Sequence, residues 1–188
     1  ERQKNVKNIM LKNILDACGG ALGLWSIGFA LSQGEGKSNF VGDQESFFFL
    51  QGVKESSQYI VFFFHFTFAA TAATIVAGTI AERCKMVAYL LYSVLLTAFV
   101  YPVVTHSVWN SNGFMIAFRE DALWGSGMVD FAGSGVVHMT GGCTALVAAI
   151  ILGPRRGRFY DNDGNVFPEP VSFPPHSVAL QVLGTFIL

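Results

Sequence analysis

The apolar residues of this chain fall into separate long runs divided by shorter polar stretches. Each run is near the roughly 20 residues a helix needs to cross a hydrocarbon layer of about 30 Å. The first extends from about Ile9 to Leu31, the second from about Tyr59 to Ala81, the third from about Met86 to Val108, and the fourth from about Met128 to Leu152. A fifth begins near Ser177 and reaches Leu188, short of a full crossing, so the sequence reads as cut inside a helix. Proline placement supports these limits: Pro154, Pro168, Pro170, Pro174 and Pro175 share one hydrophilic connector, and only Pro102 falls inside a run. The pattern predicts an all-α polytopic membrane protein, a single transmembrane domain over residues 1–188 with about four complete spans and the start of a fifth.

Composition points the same way. Of 188 residues, 52% are hydrophobic and 13% charged, about half the charged share of an ordinary soluble domain. Such a chain cannot clothe a globular surface in polar groups, so lipid is the expected solvent. Cys18, Cys84 and Cys143 lie far apart with no CxxC spacing, which argues against a disulfide framework or a zinc site; they are read as packing residues, and no metal or cofactor is expected. The net charge of −1 gives no sign of a nucleic-acid partner. The start, Glu1 to Lys7, is no signal peptide, because its charges lead into a stretch too long and too glycine-rich for one; it looks like the middle of a longer protein.

If successive spans alternate direction, residues 1–12, the turn Glu82–Lys85 and the 153–176 connector share one side. They carry Arg2, Lys4, Lys7, Lys12, Arg83, Lys85, Arg155, Arg156 and Arg158, nine of the twelve Lys and Arg residues, against Lys37, Lys54 and Arg119 opposite. The positive-inside rule makes the first set cytoplasmic. By the same rule the basic run Gly153–Arg158 is read as a topology anchor, not a lipid or nucleic-acid site. The 32–58 outer loop, polar and glycine-bearing, indicates little beyond exposure.

Ionisable residues inside a span are costly and therefore informative. Asp16 sits about a turn inside the first span, where water or a neighbouring helix can satisfy it, and is assigned a structural role. His138 follows Asp130 by eight residues, which on a continuous helix places it about 12 Å deeper. Position alone leaves two readings for His138: a pore-lining imidazole that both donates and accepts, or a buried histidine bonded to a neighbouring helix. Asp130, at the outer end of the fourth span, is suited to accept from free backbone N–H groups. Phe64 and Phe68 are four residues apart and share a helical face, an arrangement that most often means packing. Trp109, at the outer end of the third span, is either an interfacial-belt residue or a π face offered to a cation. Glycines 125, 127, 133, 135, 141 and 142 surround Asp130 and His138 and permit close backbone approach.

The run Asp130-Phe131-Ala132-Gly133-Ser134-Gly135-Val136-Val137-His138, followed by Met139-Thr140-Gly141-Gly142, resembles the signature of the Amt/Mep/Rh ammonium transporters in its plant and algal form. Asn13–Ala17, Ile80–Arg83, His106–Trp109, and Gly153-Pro154-Arg155 through Pro174–Ser177 are similar as well, so the likeness covers essentially the whole chain. It implies a fragment of an eleven-helix fold built as two inverted halves, a homotrimer with one pore per subunit, and a multi-pass protein of the plasma membrane. Carried over by position, Trp109 and Phe68 resemble the outer recruitment site, Phe64 and Phe68 the aromatic pore gate, His138 the first of two central pore histidines, and Asp130 the aspartate that supports the outer site. The second histidine, the recruitment serine and another aromatic would lie beyond Leu188. His65 and His106 match no pore histidine and are read as packing or interfacial.

The implied activity is transport, not enzymatic catalysis: ammonium is recruited by aromatic faces and ammonia, with or without the proton, passes a hydrophobic constriction lined by histidine. A bare cation there would carry a prohibitive Born cost, whereas neutral ammonia does not. The alternatives are a Rh-like neutral gas channel, which Trp109 argues against because a cation–π site serves only a cation, and an ammonium sensor on the same fold.

Overall fold

The computed structural model describes residues 2–36 and 38–187. Glu1, Lys37 (counted above among the outer basic residues) and Leu188, the end of the fifth expected run, lie outside them. Among the described residues there is no strand, only the isolated bridges Ile116–Met128 and Tyr160–Val166. The long helices are α1 (Gln3–Gln33), α2 (Ser56–Ile80), α3 (Met86–Trp109) and α4 (Ser134–Leu152), each apolar and long enough to cross a membrane, followed by the shorter α5 (Val178–Ile187). The chain is all-α and multi-pass.

Two helix starts differ from the apolar runs. α1 begins at Gln3 rather than near Ile9, because its polar first turns are held down: the Arg2 guanidinium and the Asn5 amide both donate to Glu82 in the α2–α3 turn. α4 begins at Ser134 rather than near Met128. The preceding residues are drawn into a loop by Met128 N–H donating to Met115 O at 2.6 Å and Ala117 N–H to Met128 O at 3.2 Å.

α1 packs against both α2 and α3, and α2 packs against α4. Small residues make the approach possible. Ala69, Ala72 and Ala73 of α2 are buried, and a Cβ on Gly141 of α4 would stand 2.9 Å from Ile75 Cβ and 3.0 Å from the Ala72 carbonyl. α1 and α3 cross where each contains a π-helical turn, Leu24–Gly28 and Leu96–Val100. In α3 the cause is Pro102, which has no N–H to give to the carbonyl four residues back; Tyr101 N–H instead reaches Leu96 O. At the crossing a Cβ on Gly28 would lie 2.6 Å from the Thr97 carbonyl and 3.0 Å from Pro102 Cγ, and one on Gly23 would collide with Thr97 Oγ1.

Several polar residues in the helices find partners on neighbouring helices. Asp16 accepts from Tyr89 O–H at 2.5 Å and Thr74 O–H at 3.1 Å. Lys12, one turn away, donates to the carbonyls of Ala81 (2.8 Å) and Cys84 (3.3 Å) at the end of α2 and lies over the Tyr89 ring, a cation at a helix C-terminus. The outer loop after α1 is not merely exposed. Phe47 stacks on Phe29 with centroids 5.2 Å apart, Phe49 meets Trp25 edge-on at 5.2 Å, and Val53 is buried. The three cysteines are free; Cys18 and Cys143 are exposed, and Cys84 packs against a buried cluster as expected.

Candidate functional site

A cavity of about 370 Å³ opens between the C-terminal ends of α1 and α3, the N-terminal half of α2 and the loop leading into α4. Gln33, Phe64, His65, Phe68, Trp109 and Asp130 are among the residues lining it. One turn of α2 puts the Phe64 and Phe68 rings edge to face, 4.7 Å apart. Phe68 meets the Trp109 indole at 5.8 Å and 70°, and His65 meets the same indole at 6.1 Å. Four rings from two helices thus converge on one opening, offering π faces without a free anionic group.

Asp130 explains why the loop takes this shape. Its carboxylate accepts from the backbone N–H groups of Gly133 (2.8 Å), Ser134 (3.0 Å), Gly135 (2.9 Å) and Val136 (2.7 Å), and from Ser134 O–H at 3.3 Å. These are the orphan donors of the first turn of α4. Burial alone would raise the Asp130 pKa, but the backbone donors outweigh it and hold the carboxyl below its ordinary value. Gly133 closes the loop at φ +88°, a conformation side chains resist. The Asp130 carbonyl meanwhile receives the Trp109 Nε1–H at 2.6 Å. Asp130 therefore does two jobs at once: its carboxylate caps α4 and its carbonyl fixes the tilt of the indole.

His138 stands apart. It is not among the cavity-lining residues and is exposed on the π-helical first turns of α4 (Ser134–Met139), its Nδ1 3.3 Å from Gly133 O. Because residues 130–133 form the cap and not helix, His138 lies at most about 6 Å along the axis from the start of α4, not the 12 Å a continuous helix would give. Two lining residues that the sequence pattern does not single out are His65 and Gln33. His65 is 7% exposed and its Nδ1 meets no partner among the described residues. Its signal was present: it is three residues before Phe68 and so on the same face. His106, by contrast, is fully buried and structural, with Nδ1 3.1 Å from Ser32 O at the end of α1, where Asn110 also donates.

At the opposite ends of the helices, Glu82 gathers three segments. It pairs with Arg2 at 2.9 Å and Arg155 at 3.1 Å, its side chain only 3% exposed, and Asn5 donates to it at 2.7 Å. Burial would raise its pKa, but these donors, Arg2 foremost, hold it well below the usual carboxylate range. Phe173 of the connector lies under the Arg2 guanidinium at 3.9 Å. Arg83 donates to Gly153 O at the end of α4 at 2.9 Å, and Arg158 to Val171 O. Several basic residues of this end are thus spent on holding the connector against the helices. Among the described residues no cluster of His, Cys, Asp and Glu has the makings of a metal site.

The sequence model of the Ammonium Transporter Family matches residues 1–188. The chain is 48% identical to ammonium transporter 1 member 2 of Arabidopsis thaliana, covering all of this chain and 36% of that protein. It is 49% identical to ammonium transporter 1 member 1 of Oryza sativa subsp. japonica, again over its whole length and 37% of the relative. It thus spans about a third of the curated relatives it matches. Among solved structures it superposes on a Sensor Amt Protein with a TM-score of 0.78 at 34% identity, covering all of this chain and 45% of that one. Candida albicans Mep2 aligns with 93% of the chain and 37% of its own, at a TM-score of 0.73 and 26% identity.

Proposed function

Since the chain belongs to the Ammonium Transporter Family, whose members are transporters rather than enzymes, we propose that the whole protein carries ammonium across a membrane, with the outer cavity as its recruitment site. The supporting observation is the convergence of Phe64, Phe68 and Trp109 on one opening whose nearest carboxylate is already saturated. A site of this kind attracts a small cation by the negative faces of the rings, each contact worth about 0.5–2 kcal/mol according to desolvation. It holds no free counter-charge that would trap the ion.

In this reading Trp109 and Phe68 receive ammonium, Phe64 and Phe68 form the constriction below, and Asp130 acts as a positioning residue. An ammonium ion has four N–H donors and no lone pair. Passing it bare through a ring constriction would cost its hydration without return, so the proton and ammonia separate at the gate. His138, deeper on α4, is the group to hydrogen-bond ammonia and relay the proton, since a neutral imidazole both donates and accepts. The protein works as a homotrimer in the plasma membrane, each subunit with its own path.

The test is made on the full-length protein in cells lacking their own ammonium uptake, comparing ammonium-evoked current and growth of the parent with His138→Ala and Trp109→Leu. Loss of transport in the first and weaker apparent affinity in the second are expected. Parental uptake and current in both variants would overturn the assignment.

A further inference from the structure

Aromatic faces attract any small cation, and a potassium ion has the charge and nearly the size of ammonium. Ring faces alone therefore do not tell the two apart. The chemical difference is that ammonium presents N–H donors, so discrimination needs a hydrogen-bond acceptor beside the rings. In the cavity lining the polar groups are mostly engaged. The Asp130 carboxylate receives five donors, and the Trp109 N–H goes to the Asp130 carbonyl. Among the described lining residues, the imidazole of His65 and the amide of Gln33 are left. Only His65 belongs to the ring cluster, edge-on to Phe64 at 5.7 Å and to Trp109 at 6.1 Å. It is 93% removed from solvent, since 7% of its surface is exposed, and among the described residues no hydrogen bond satisfies its enclosed Nδ1. A neutral imidazole always keeps one nitrogen as an acceptor, and the small exposed part of this ring lines the cavity.

We propose that His65 is a hydrogen-bond acceptor of the outer cavity, alongside any acceptor that the rest of the full-length protein supplies: it takes an N–H of the ammonium ion held by Phe68 and Trp109, and so contributes to selecting nitrogen cations over alkali cations. The inference rests on the recruitment reading above and adds to it the residue that reads the substrate's donors. No bond is made or broken in this step; the ion keeps its proton while bound.

The experiment measures ammonium current against ammonium concentration, with and without a large excess of potassium, for the full-length parent, His65→Phe, His65→Gln and Trp109→Leu, with delivery to the membrane read by surface labelling. His65→Phe keeps the ring and removes the acceptor; its apparent affinity is expected to weaken about tenfold, the worth of one hydrogen bond to a charged group, and potassium is expected to compete. His65→Gln, which restores an acceptor oxygen, should recover most of both losses. A His65→Phe protein that does not reach the membrane is replaced by His65→Leu, read in the same way. Unchanged affinity and potassium exclusion in the acceptor-less variant, with Trp109→Leu still weakened, would overturn the proposal and leave the recruitment reading standing. His65→Gln behaving like the acceptor-less variant would overturn it too. If Trp109→Leu is also unaltered, the recruitment reading itself has failed.

Discussion

The indole N–H of Trp109 donates to the backbone carbonyl of Asp130 at 2.6 Å, so the residue offered to the cation and the residue that caps α4 are one mechanical unit. Asp130→Ala strips acceptors from four backbone N–H groups at once. A cost on the order of 3 kcal/mol follows, because buried donors are left without partners. The expected outcome is a lower melting temperature of the detergent-solubilised full-length protein, with Asp130→Asn intermediate because the amide keeps one acceptor oxygen. Parental melting of Asp130→Ala would refute the cap as a source of stability.

Gly133 offers a milder intervention at the same place. At φ +88° any side chain is strained, and a Cβ there would lie 2.9 Å from Val137 Cγ2 and 3.5 Å from the Trp109 ring. Gly133→Ala should cost about 1–2 kcal/mol of stability and displace the indole. Apparent ammonium affinity should fall more than maximal current does, which a dose–response curve separates.

Glu82 predicts a pH dependence. Its folded-state pKa lies well below the ordinary 4.5, so the fold favours the ionised form. That contribution is complete above pH 4.5 and fades as the pH drops toward the folded value. The melting-temperature gap between the parent and Glu82→Gln should therefore be constant from neutral pH down to about pH 5 and narrow below it. At neutral pH, loss of this buried partner of Arg2 and Arg155 is expected to cost about 2–3 kcal/mol. A gap that widens on acidification would show that another group dominates.

Lys12 tests the joint between α1 and the end of α2. Lys12→Met keeps the aliphatic stem and removes the donor to Ala81 and Cys84 carbonyls, with an expected loss of about 1–2 kcal/mol. Amide hydrogen exchange should then quicken in the α2–α3 turn ahead of the rest of the molecule; uniform protection there would argue against the capping role.

The four crossings were legible in the sequence because an apolar run of membrane length can satisfy its backbone in lipid only by coiling into a helix, and Gly141 of α4 was legible as permitting close approach. The start of α4 was not. The run from Met128 is predominantly apolar, and the carboxylate of Asp130 turning back on four N–H groups makes its first residues a loop. The start of α1 was missed for the complementary reason: its first turns are polar and are helical because Glu82, some 80 residues away in sequence, holds them. In the site, the Phe64–Phe68 spacing and the position of Trp109 could be read locally. His65 shares the Phe68 face by its spacing, but its neighbours across the cavity come from α3 and from the loop before α4, which spacing alone does not show.

The paired π turns of α1 and α3 bear on how the molecule tolerates change in length. Each accommodates one more residue than an ordinary turn, and in an α-helix one residue is a rotation of about 100°. Removing a single residue between Leu24 and Gly28 would therefore let α1 relax to regular winding with its two halves still in phase, Ser32 against His106 and Asp16 against Tyr89. The same deletion in the regular part of α1 would instead turn one half by about 100° and carry Lys12 and Asp16 away from Ala81 and Tyr89 toward lipid. The π turn is thus the place where α1 can lose a residue and keep its faces.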